Sequence, residues 1–506
     1  MSTESSTQKS PLLADTLTDS DNFNSNFVIK VGKNVTLALG ADALLIHAIV
    51  DADPKVVKNI QCCGLWTTES SPSQEIPFYN ILAVEASEST LSIKYAKLLL
   101  KEDYSPSTLQ YILNGGEATK VESWVERLLE LAYGDAQRNK RLRVLINPYG
   151  GKGYATDLYA QYAAPMFEAA GCKIDLETTT HSGHAIDLGE NIDVDAYDAV
   201  VCCSGDGLPY EVLNGLAKKP NASEALTKLA ITMLPCGSGN ALAWNLYGTN
   251  SVSLVALAII KGLRTPLDLA SISQGNTRTL SFLSQSYGII AESDLGTDHL
   301  RWMGAARFTY GFLVRLIAQK TYPCDVAFKV EMDQKKDIKE HYLAYKNKKP
   351  ELRPVGGGDQ VGKGLPPLKY GTVDDEVPSD WEKVSTDTIG NLYAGNMAIM
   401  SADVNFFPAS LPGDGMMDLV MIDGTIGRMK SLSMMTAVEK GQFFDIPEVE
   451  VRKVSGYRLI PRNQGDGYIS VDGERIPFSP FQVEIHQGLG TALSKSGHLY
   501  EARGPC

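Results

Sequence analysis

The chain lacks any apolar run long enough to cross a bilayer: "VALAII" (Val255 to Ile260) stops at Lys261. Its N-terminus, "MSTESSTQKS", has no apolar signal core. Both absences leave surface contact as the expected route to a membrane. The eight cysteines include no C-x-x-C pair and no zinc spacing. Cys62 is beside Cys63 and Cys202 beside Cys203, a usage that reads as reduced thiols in a cytosolic protein. A basic excess is also missing. The net charge of −13 argues against a general nucleic-acid binder, although a local basic patch could serve a nucleotide or an anionic membrane. A Walker phosphate loop is absent, because Lys152 in "NPYGGKG" lacks the upstream spacing and the following Ser/Thr. No Rossmann fingerprint occurs either, which argues against a dehydrogenase.

What is present is enough apolar material, 43%, to build large cores in two to four domains. Residues 1–26 are rich in Ser, Thr, Asp and Asn, a composition that predicts disorder. From Phe27 to about Gly116 come short alternating runs, "VTLALGADALLIHAIV" and "IPFYNILAVEA" among them, that read as strands. "ATKVESWVERLLELAYG" follows, with Val121, Trp124, Val125, Leu128, Leu129 and Leu131 falling largely on one helical face. Strands closed by a Trp-bearing helix resemble a pleckstrin-homology-like (PH-like) β module, here residues 27–138. From Arg141 to Pro266 strands and helices alternate, which implies an α/β domain with a parallel sheet and ligands beyond the carboxyl ends of its strands. Residues 267–506 read as a β-rich domain, interrupted by a Pro/Gly-rich, charged stretch at 333–387 that predicts a disordered insertion.

Three glycine-rich turns follow three strands of the α/β part: "NPYGGKG" (Asn147 to Gly153), "SGDG" (Ser204 to Gly207) and "PCGSGNALA" (Pro235 to Ala243). Glycine lets phosphate oxygens approach backbone N–H groups, and a following helix N-terminus adds positive partial charge. Asp206 is out of place beside phosphates unless a cation bridges them or it takes up a proton. Phosphoryl transfer needs both services, whereas a helix cap needs neither.

These turns, with the extended "SGDGLPYEVLNGL", resemble the signature of the diacylglycerol-kinase catalytic family. The "GSGNALA" run is most similar to its sphingosine (long-chain-base) kinase branch. "YGIIAESDLGTDHLRWMGAARFTYG" resembles that branch's lipid-recognition and arginine segment, and "ISVDGERIPF" its late "DGE" motif. The resemblance covers roughly Leu142 to Met332 and Asn391 to His486. The insertion and N-terminal extension suggest a fungal- or plant-like long form.

The resemblance implies roles. Asp206 would be the catalytic base, with Ser204, Gly205 and Gly207 shaping the loop around the reacting groups. Asn147, Pro148, Tyr149, Gly150 and Gly151 would line ATP, joined by Gly237, Ser238 and Gly239. Thr179 to Gly183 would form another nucleotide wall, its register between Thr179 and Thr180 open by one, and Glu211 would face the same site. Arg301 and Arg307 would bind the triphosphate, and Asp472, Gly473 and Glu474 would close the site. Mg²⁺ would be held through ATP phosphates near Asp206 and Glu474. Asp294 would meet the amine of a sphingoid base, with Glu292 on the same side if the segment is a strand. The implied activity is ATP-dependent phosphorylation of the primary hydroxyl of a sphingoid long-chain base, with cytoplasmic residence and peripheral membrane association at the endoplasmic reticulum, Golgi or plasma membrane. Adjacent Cys62 and Cys63 could be S-acylated or be ordinary thiols. A diacylglycerol or ceramide kinase, an NAD kinase and a non-catalytic lipid-binding scaffold remain alternatives at this point.

Overall fold

The computed structural model describes residues 27–32, 34–48, 74–99, 102–113, 118–297, 300, 310–311, 313–315, 320–348, 364–402 and 404–505. The expectations for residues 1–26, Cys62, Cys63, Arg301 and Arg307 therefore lie outside the described residues. The chain divides into two units, one formed by residues up to Ile93 with Thr108–Ala132, the other by Lys94–Ser107 with everything from Tyr133 onward.

The N-terminal module holds two sheets. Strands β1 (Val28–Val31), β2 (Val35–Leu39), β3 (Ala43–Ala48) and β4 (Gln74–Pro77) pair in that order, antiparallel throughout. Strands β5 (Ile81–Ala86), β6 (Thr90–Leu98) and β7 (Tyr104–Ile112) form the second. Helix α1 (Ala118–Tyr133) ends the module. Its buried residues Val121, Trp124, Leu128 and Ala132 recur at the spacing of one helical face. The Trp124 indole N–H donates to the Phe27 carbonyl at 3.2 Å, which satisfies the one polar atom of a buried ring.

The α/β half is a parallel sheet in the order β9-β8-β10-β11. Strands β10 (Ala199–Ser204) and β11 (Ala230–Pro235) are buried at every position, as central parallel strands covered on both faces must be; β8 (Arg141–Ile146) pairs with the other side of β10, and β9 (Lys173–Thr178) lies beyond β8. Short helices α2 (Ala155–Leu158) and α3 (Ala164–Ala169) follow β8, and α4 (His184–Asn191) follows β9. Helices α5 (Gly207–Ala217) and α6 (Ala222–Lys228) follow β10. Helices α7 (Ala241–Tyr247) and α8 (Val252–Ile260) follow β11. Among the described residues no single helix is long and apolar enough to cross a membrane. The pair α7 and α8 passes such a test only together, bent by 54°.

The β-rich half runs β12 (Leu263–Gln274), β13 (Thr277–Ser281), β14 (Ser284–Gly288), helix α9 (Ile289–Leu295), β15 (Cys324–Met332), helix α10 (Lys335–Lys346), β16 (Glu382–Thr386), β17 (Ile389–Gly395), the short pair β18 (Ile399–Ser401) and β19 (Val404–Asn405), and β20 (Met417–Asp423). It ends with helix α11 (Arg428–Glu439), β21 (Glu450–Pro461), β22 (Ile469–Val471), β23 (Glu474–Ile476) and β24 (Phe481–Ser494). The last strand returns to the parallel sheet: β24 pairs with β11 in parallel at Ile231↔Ala492 and with β12 antiparallel along its length. The two halves of this unit therefore share one hydrogen-bonded sheet. Core residues from β14, β15, β17, β20, β21, β22 and β24 fill the sandwich, with Tyr287, Phe328, Tyr457 and Phe481 as its large buried rings.

The expectation of a disordered insertion at 333–387 is corrected for residues 333–348 and 364–387; residues 349–363 lie outside the described residues. The segment contributes α10, whose Ile338 and Tyr342 are buried, and strand β16, which pairs with β15. Between them residues 364–381 form a strap across the sheet. Glu484 accepts from the Lys369 and Tyr370 N–H groups at 3.0 and 3.1 Å, and Gln482 donates to the carbonyls of Tyr370 and Gly371. Arg458 donates to the carbonyls of Asp375 and Thr372 at 2.7 and 2.9 Å. Buried side chains on β21 and β24 thus satisfy a backbone that builds no regular structure of its own, which is why composition alone misreads it. Trp381 closes the strap, buried to 4% exposure and edge-on to Tyr370 at 5.2 Å.

Replacing 333–387 by a short Gly/Ser bridge should therefore abolish folding. The single variant Trp381→Ala should lose about 3–5 kcal/mol, the usual cost of removing a buried aromatic. Urea unfolding monitored by circular dichroism checks both; a deletion variant with wild-type stability would return the segment to a dispensable loop.

Candidate active site

The three glycine turns leave adjacent parallel strands at one edge of the sheet, and their backbones touch. A Cβ on Gly151 would sit 2.6 Å from the Cys236 carbonyl oxygen, and one on Gly150 would sit 2.8 Å from Ser204 Oγ. A Cβ on Gly237 would fall on the Gly205 Cα and 2.6 Å from its nitrogen. Gly151 also has φ +59°, a conformation that suits glycine. Gly151 and Gly237 are thus required by loop-on-loop contact, independently of any ligand. Local hydrogen bonds set each turn. Asn147 Oδ1 accepts from the Tyr149 N–H at 3.0 Å, and Asn240 Oδ1 accepts from the Gly237 N–H at 2.8 Å. Asn240 has φ +55° at the entry to α7, the left-handed region that asparagine tolerates better than most residues. Pro148 is half-buried, Tyr149 is 82% exposed, and Ser238 and Gly239 are at least partly exposed on the third turn.

Asp206 lies where these turns meet, immediately before α5. It is half-buried and makes no cap to its own helix. Instead its Oδ2 accepts from the Ala241 N–H at 3.0 Å and its Oδ1 from the Leu242 N–H at 2.9 Å, both at the start of α7. Burial pushes its pKa above the ordinary carboxylate value, against the pull of those N–H bonds. A carboxylate held at both oxygens by backbone, with lone pairs to spare and raised basicity, is suited to accept a proton from a substrate hydroxyl.

The flanking residues separate by role. Glu211 on α5 accepts from the N–H groups of Gly183 and Ala185 at 3.1 and 3.2 Å, so it fixes the Thr179–Gly183 wall at the entry to α4. Thr179 is buried, its N–H donating to the Ile146 carbonyl; Thr180 is the exposed member of the pair and its N–H donates to His184 Nδ1. From the β-rich half, Glu474 reaches the first residue of α5: its Oε1 lies 3.3 Å from where a Gly207 Cβ would be. Asp472 behaves differently. Buried to 3% exposure, with φ +52°, it accepts from Ser281 Oγ and from the N–H groups of Phe282, Leu283 and Ser284 at 2.6–3.0 Å. Burial pushes it up to about 6 even with four bonds opposing. Its carboxylate organises the turn from β13 to β14, while Gly473, at φ +85°, turns the chain towards Glu474.

Asp294 and Glu292 sit on α9, so the expectation of a strand that points both to one side is corrected. Two residues apart on a helix is roughly 200° of rotation. Glu292 is engaged elsewhere, accepting from Tyr322 Oη at 2.6 Å and pairing with Lys320 at 2.9 Å and Arg315 at 3.5 Å. Asp294 is half-buried and acts electrostatically on the Tyr393 hydroxyl. Burial chiefly, then the charges of Asp294 and Asp472, raise that phenol, whose oxygen lies 3.3 Å from Ser284 Oγ. At its start the same helix lines an open, largely apolar pocket with about 680 Å³ of empty space, mouth included. Ile289, Ile290, Phe406, Met434, Met435 and Phe443 are among its walls.

Asn245 was not singled out from sequence. Its signal is an amide within "NALAWNLYG", a helix that otherwise buries apolar groups, since a buried amide needs partners.

The glycine contacts make a prediction. Gly237→Ala should disrupt the site, because the new methyl meets backbone that cannot swing aside, at a cost of about 1–3 kcal/mol and with loss of nucleotide binding. Gly205→Ala should be far milder in stability, since its Cβ would lie at an ordinary 3.4 Å from the Gly237 Cα. Thermal melts with and without ATP test the ordering; equal effects of the two substitutions would contradict it.

Comparisons with known proteins bear on this site. Residues 141–272 match the family described as "Diacylglycerol kinase catalytic domain", and residues 369–491 match "YegS C-terminal NAD kinase beta sandwich-like domain". Residues 27–134 match a domain of unknown function. The chain is 35% identical over 452 residues to sphingoid long chain base kinase 5 of Saccharomyces cerevisiae, covering 79% of this chain and 65% of that relative. It is 33% identical to sphingoid long chain base kinase 4 of Schizosaccharomyces pombe, over 82% of this chain and 90% of the relative. To human sphingosine kinase 1 it is 31% identical, over 70% and 90%. The chain spans about two thirds of the budding-yeast relative and nine tenths of the other two. The glycine turns converging on Asp206, the returning β-rich half and these likenesses agree, and the chain belongs to the sphingoid long-chain-base kinase branch of the diacylglycerol-kinase catalytic-domain family.

Proposed function

We infer that the protein transfers the γ-phosphate of ATP to the primary hydroxyl of a sphingoid long-chain base. One observation carries the choice of substrate: a single helix, α9, lines the apolar pocket through Ile289 and Ile290 and carries Asp294 one turn further on. A sphingoid base has the matching parts, an alkyl tail and a protonated amine close to the reacting hydroxyl. An apolar site penalises that cation unless an anion meets it. Diacylglycerol and ceramide offer no cation for Asp294.

In the reaction the lipid hydroxyl oxygen attacks the γ-phosphorus and its proton passes to Asp206. The bond from the γ-phosphorus to the bridging oxygen breaks, and ADP leaves with that electron pair. The glycine turns supply N–H groups and close approach for the phosphates, with Glu211 holding the Thr179–Gly183 wall. Among the described residues no cluster of three His, Cys, Asp or Glu side chains forms a metal cage. That suits Mg²⁺, which commonly takes one or two carboxylates and relies on substrate phosphates. Glu474, beside Gly207, would help hold it, and the ion would neutralise phosphate charge there.

Purified full-length protein with labelled ATP and a panel of sphingosine, phytosphingosine, ceramide, diacylglycerol and NAD tests the reading. The sphingoid bases should be the substrates. Asp206→Asn should lower turnover by about 100- to 10,000-fold, the usual contribution of general-base assistance. Asp294→Asn should weaken sphingoid-base use by about 10- to 100-fold in kcat/KM, with the KM for ATP nearly unchanged. Equal use of diacylglycerol by the wild type would overturn the substrate assignment.

The lipid must leave a bilayer to enter the pocket, and α11 is the element we assign to that contact. Its Met434, Met435 and Val438 line the pocket, while Met429, 80% exposed between Arg428 and Lys430, and Leu432 project outward. Such a helix face suits the interfacial region of a membrane. The double substitution Met429→Glu, Leu432→Glu should depress activity on substrate embedded in phosphatidylserine-containing vesicles by about tenfold, two buried apolar side chains at ~1.5–3 kcal/mol each more than sufficing. Activity on detergent-dispersed substrate should be preserved. Equal loss in both formats would refute the docking role.

A further inference from the structure

We propose that Asn245 is a positioning residue for Asp206, tying the N–H groups that hold the catalytic carboxylate to the backbone of the β-rich half. The inference rests on the reading of Asp206 as the base.

Asn245 is fully buried, one turn beyond the start of α7. All its amide capacity is used. Nδ2 donates to the Ala241 carbonyl at 2.8 Å and to the Ile399 carbonyl at 2.7 Å. Oδ1 accepts from the N–H groups of Ala398 and Ile399 at 2.9 and 3.0 Å. Ala241 is the residue whose own N–H holds Asp206 Oδ2. One amide thus grips both the clamp on the base and the entry to β18.

The linkage continues past β18. Two residues before Ala398, the Asn396 N–H donates to the Leu283 carbonyl at 2.9 Å, and the Asn396 Nδ2 donates to the Asp268 carbonyl at 2.6 Å. Leu283 belongs to the turn that Asp472 holds with four bonds. An unbroken series of hydrogen bonds and short backbone steps therefore runs from Asp472, beside Glu474 in the "DGE" motif, to the N–H groups on Asp206. Alongside it, the Met400 carbonyl lies 3.8 Å from where a Gly239 Cβ would be, so the same strand underlies the third glycine turn.

This geometry makes a structural-only role distinguishable from a positioning one. Helix α7 has seven residues, and its entry residue Asn240 is left-handed with no side-chain cap to the helix. Its first turn is tied to the β-rich half through Asn245, which bonds both the Ala241 carbonyl and the Ile399 carbonyl. Losing that anchor should let the Ala241 and Leu242 N–H groups drift from Asp206 while the nucleotide turns, fixed by Gly205, Gly237 and Asn240, stay formed.

The experiment is a double-mutant cycle on the full chain, with sphingosine and ATP as probes and urea unfolding run on every variant. Asn245→Ala should lower kcat by about 10- to 100-fold, the scale of a roughly 1 Å misplacement, with the KM values for ATP and sphingosine changing less than about twofold. In the Asp206→Asn background the same substitution should change residual turnover by less than about twofold, because residues that act as a unit are non-additive. Asn245→Ser, whose hydroxyl retains a bond back to the Ala241 carbonyl but not the link to Ala398 and Ile399, should behave like Asn245→Ala. A folded variant with wild-type kcat, an independent loss in the Asp206→Asn background, or failure of both Asn245 variants to fold would overturn the proposal. Full turnover in Asp206→Asn alone would instead remove the base assignment on which it rests.

Discussion

Two backbone N–H groups, of Ala241 and Leu242, hold the Asp206 carboxylate, and much of the larger unit serves to keep them in place. The constraint is geometric. A carboxylate in a glycine turn has no side-chain neighbours to orient it, so its orientation comes from the next strand's helix. That requires the second and third turns to lie close enough for the Gly205 and Gly237 backbones to touch, which only glycine permits at position 237. The parallel pairing of β10 with β11, buried along its whole length, brings the turns to that separation.

The β-rich half is itself held together by polar groups inside apolar surroundings. Asp268 sits at an irregularity in the β12–β24 pairing and accepts from the N–H groups of Gly415 and Gly488, both at 2.6 Å. Burial, with Asp414 nearby, holds its carboxyl well above the usual range. Lys453 is fully buried with Asp414 at 3.1 Å and Asp418 at 3.4 Å. Burial alone would lower its pKa, but the two carboxylates outweigh it and the ammonium is held charged. Such clusters are weak sources of net stability, yet removing one partner strands a charge in the interior. They bind β12, β20, β21 and the turn after Pro412 to one another.

The apolar pocket and Asp294 share α9, and the neighbouring acid Glu292 is committed to Arg315, Lys320 and Tyr322. Burial would raise the Glu292 pKa, but the bonds from Tyr322 and Lys320 and the charge of Arg315 bring it below the ordinary value. Its stabilising contribution is therefore present above the unfolded carboxylate range and fades as pH falls through the folded value. The helical geometry thus assigns one acid to hold the segment and presents the other on a different face.

The sequence by itself determined the fold class and the glycine-flanked acid. Parallel strands declare themselves by unbroken apolar runs such as "AVVCC", and turns by glycine, so Asp206 and its three loops were legible from local pattern alone. Only the tertiary structure decided what depends on distant partners. The strap at 364–381 is ordered because Arg458, Gln482 and Glu484, about 80 to 120 residues away, satisfy its backbone. Asp472, in a motif that suggests ligand contact, is occupied by a turn nearly 190 residues earlier. Asn245 reads as one polar residue in an apolar helix until the Ala398 and Ile399 backbone arrives beside it. Hydrogen-bond partners distant in sequence leave no periodicity for a local reading to detect, and a buried polar group's role is set by whichever partner the fold delivers.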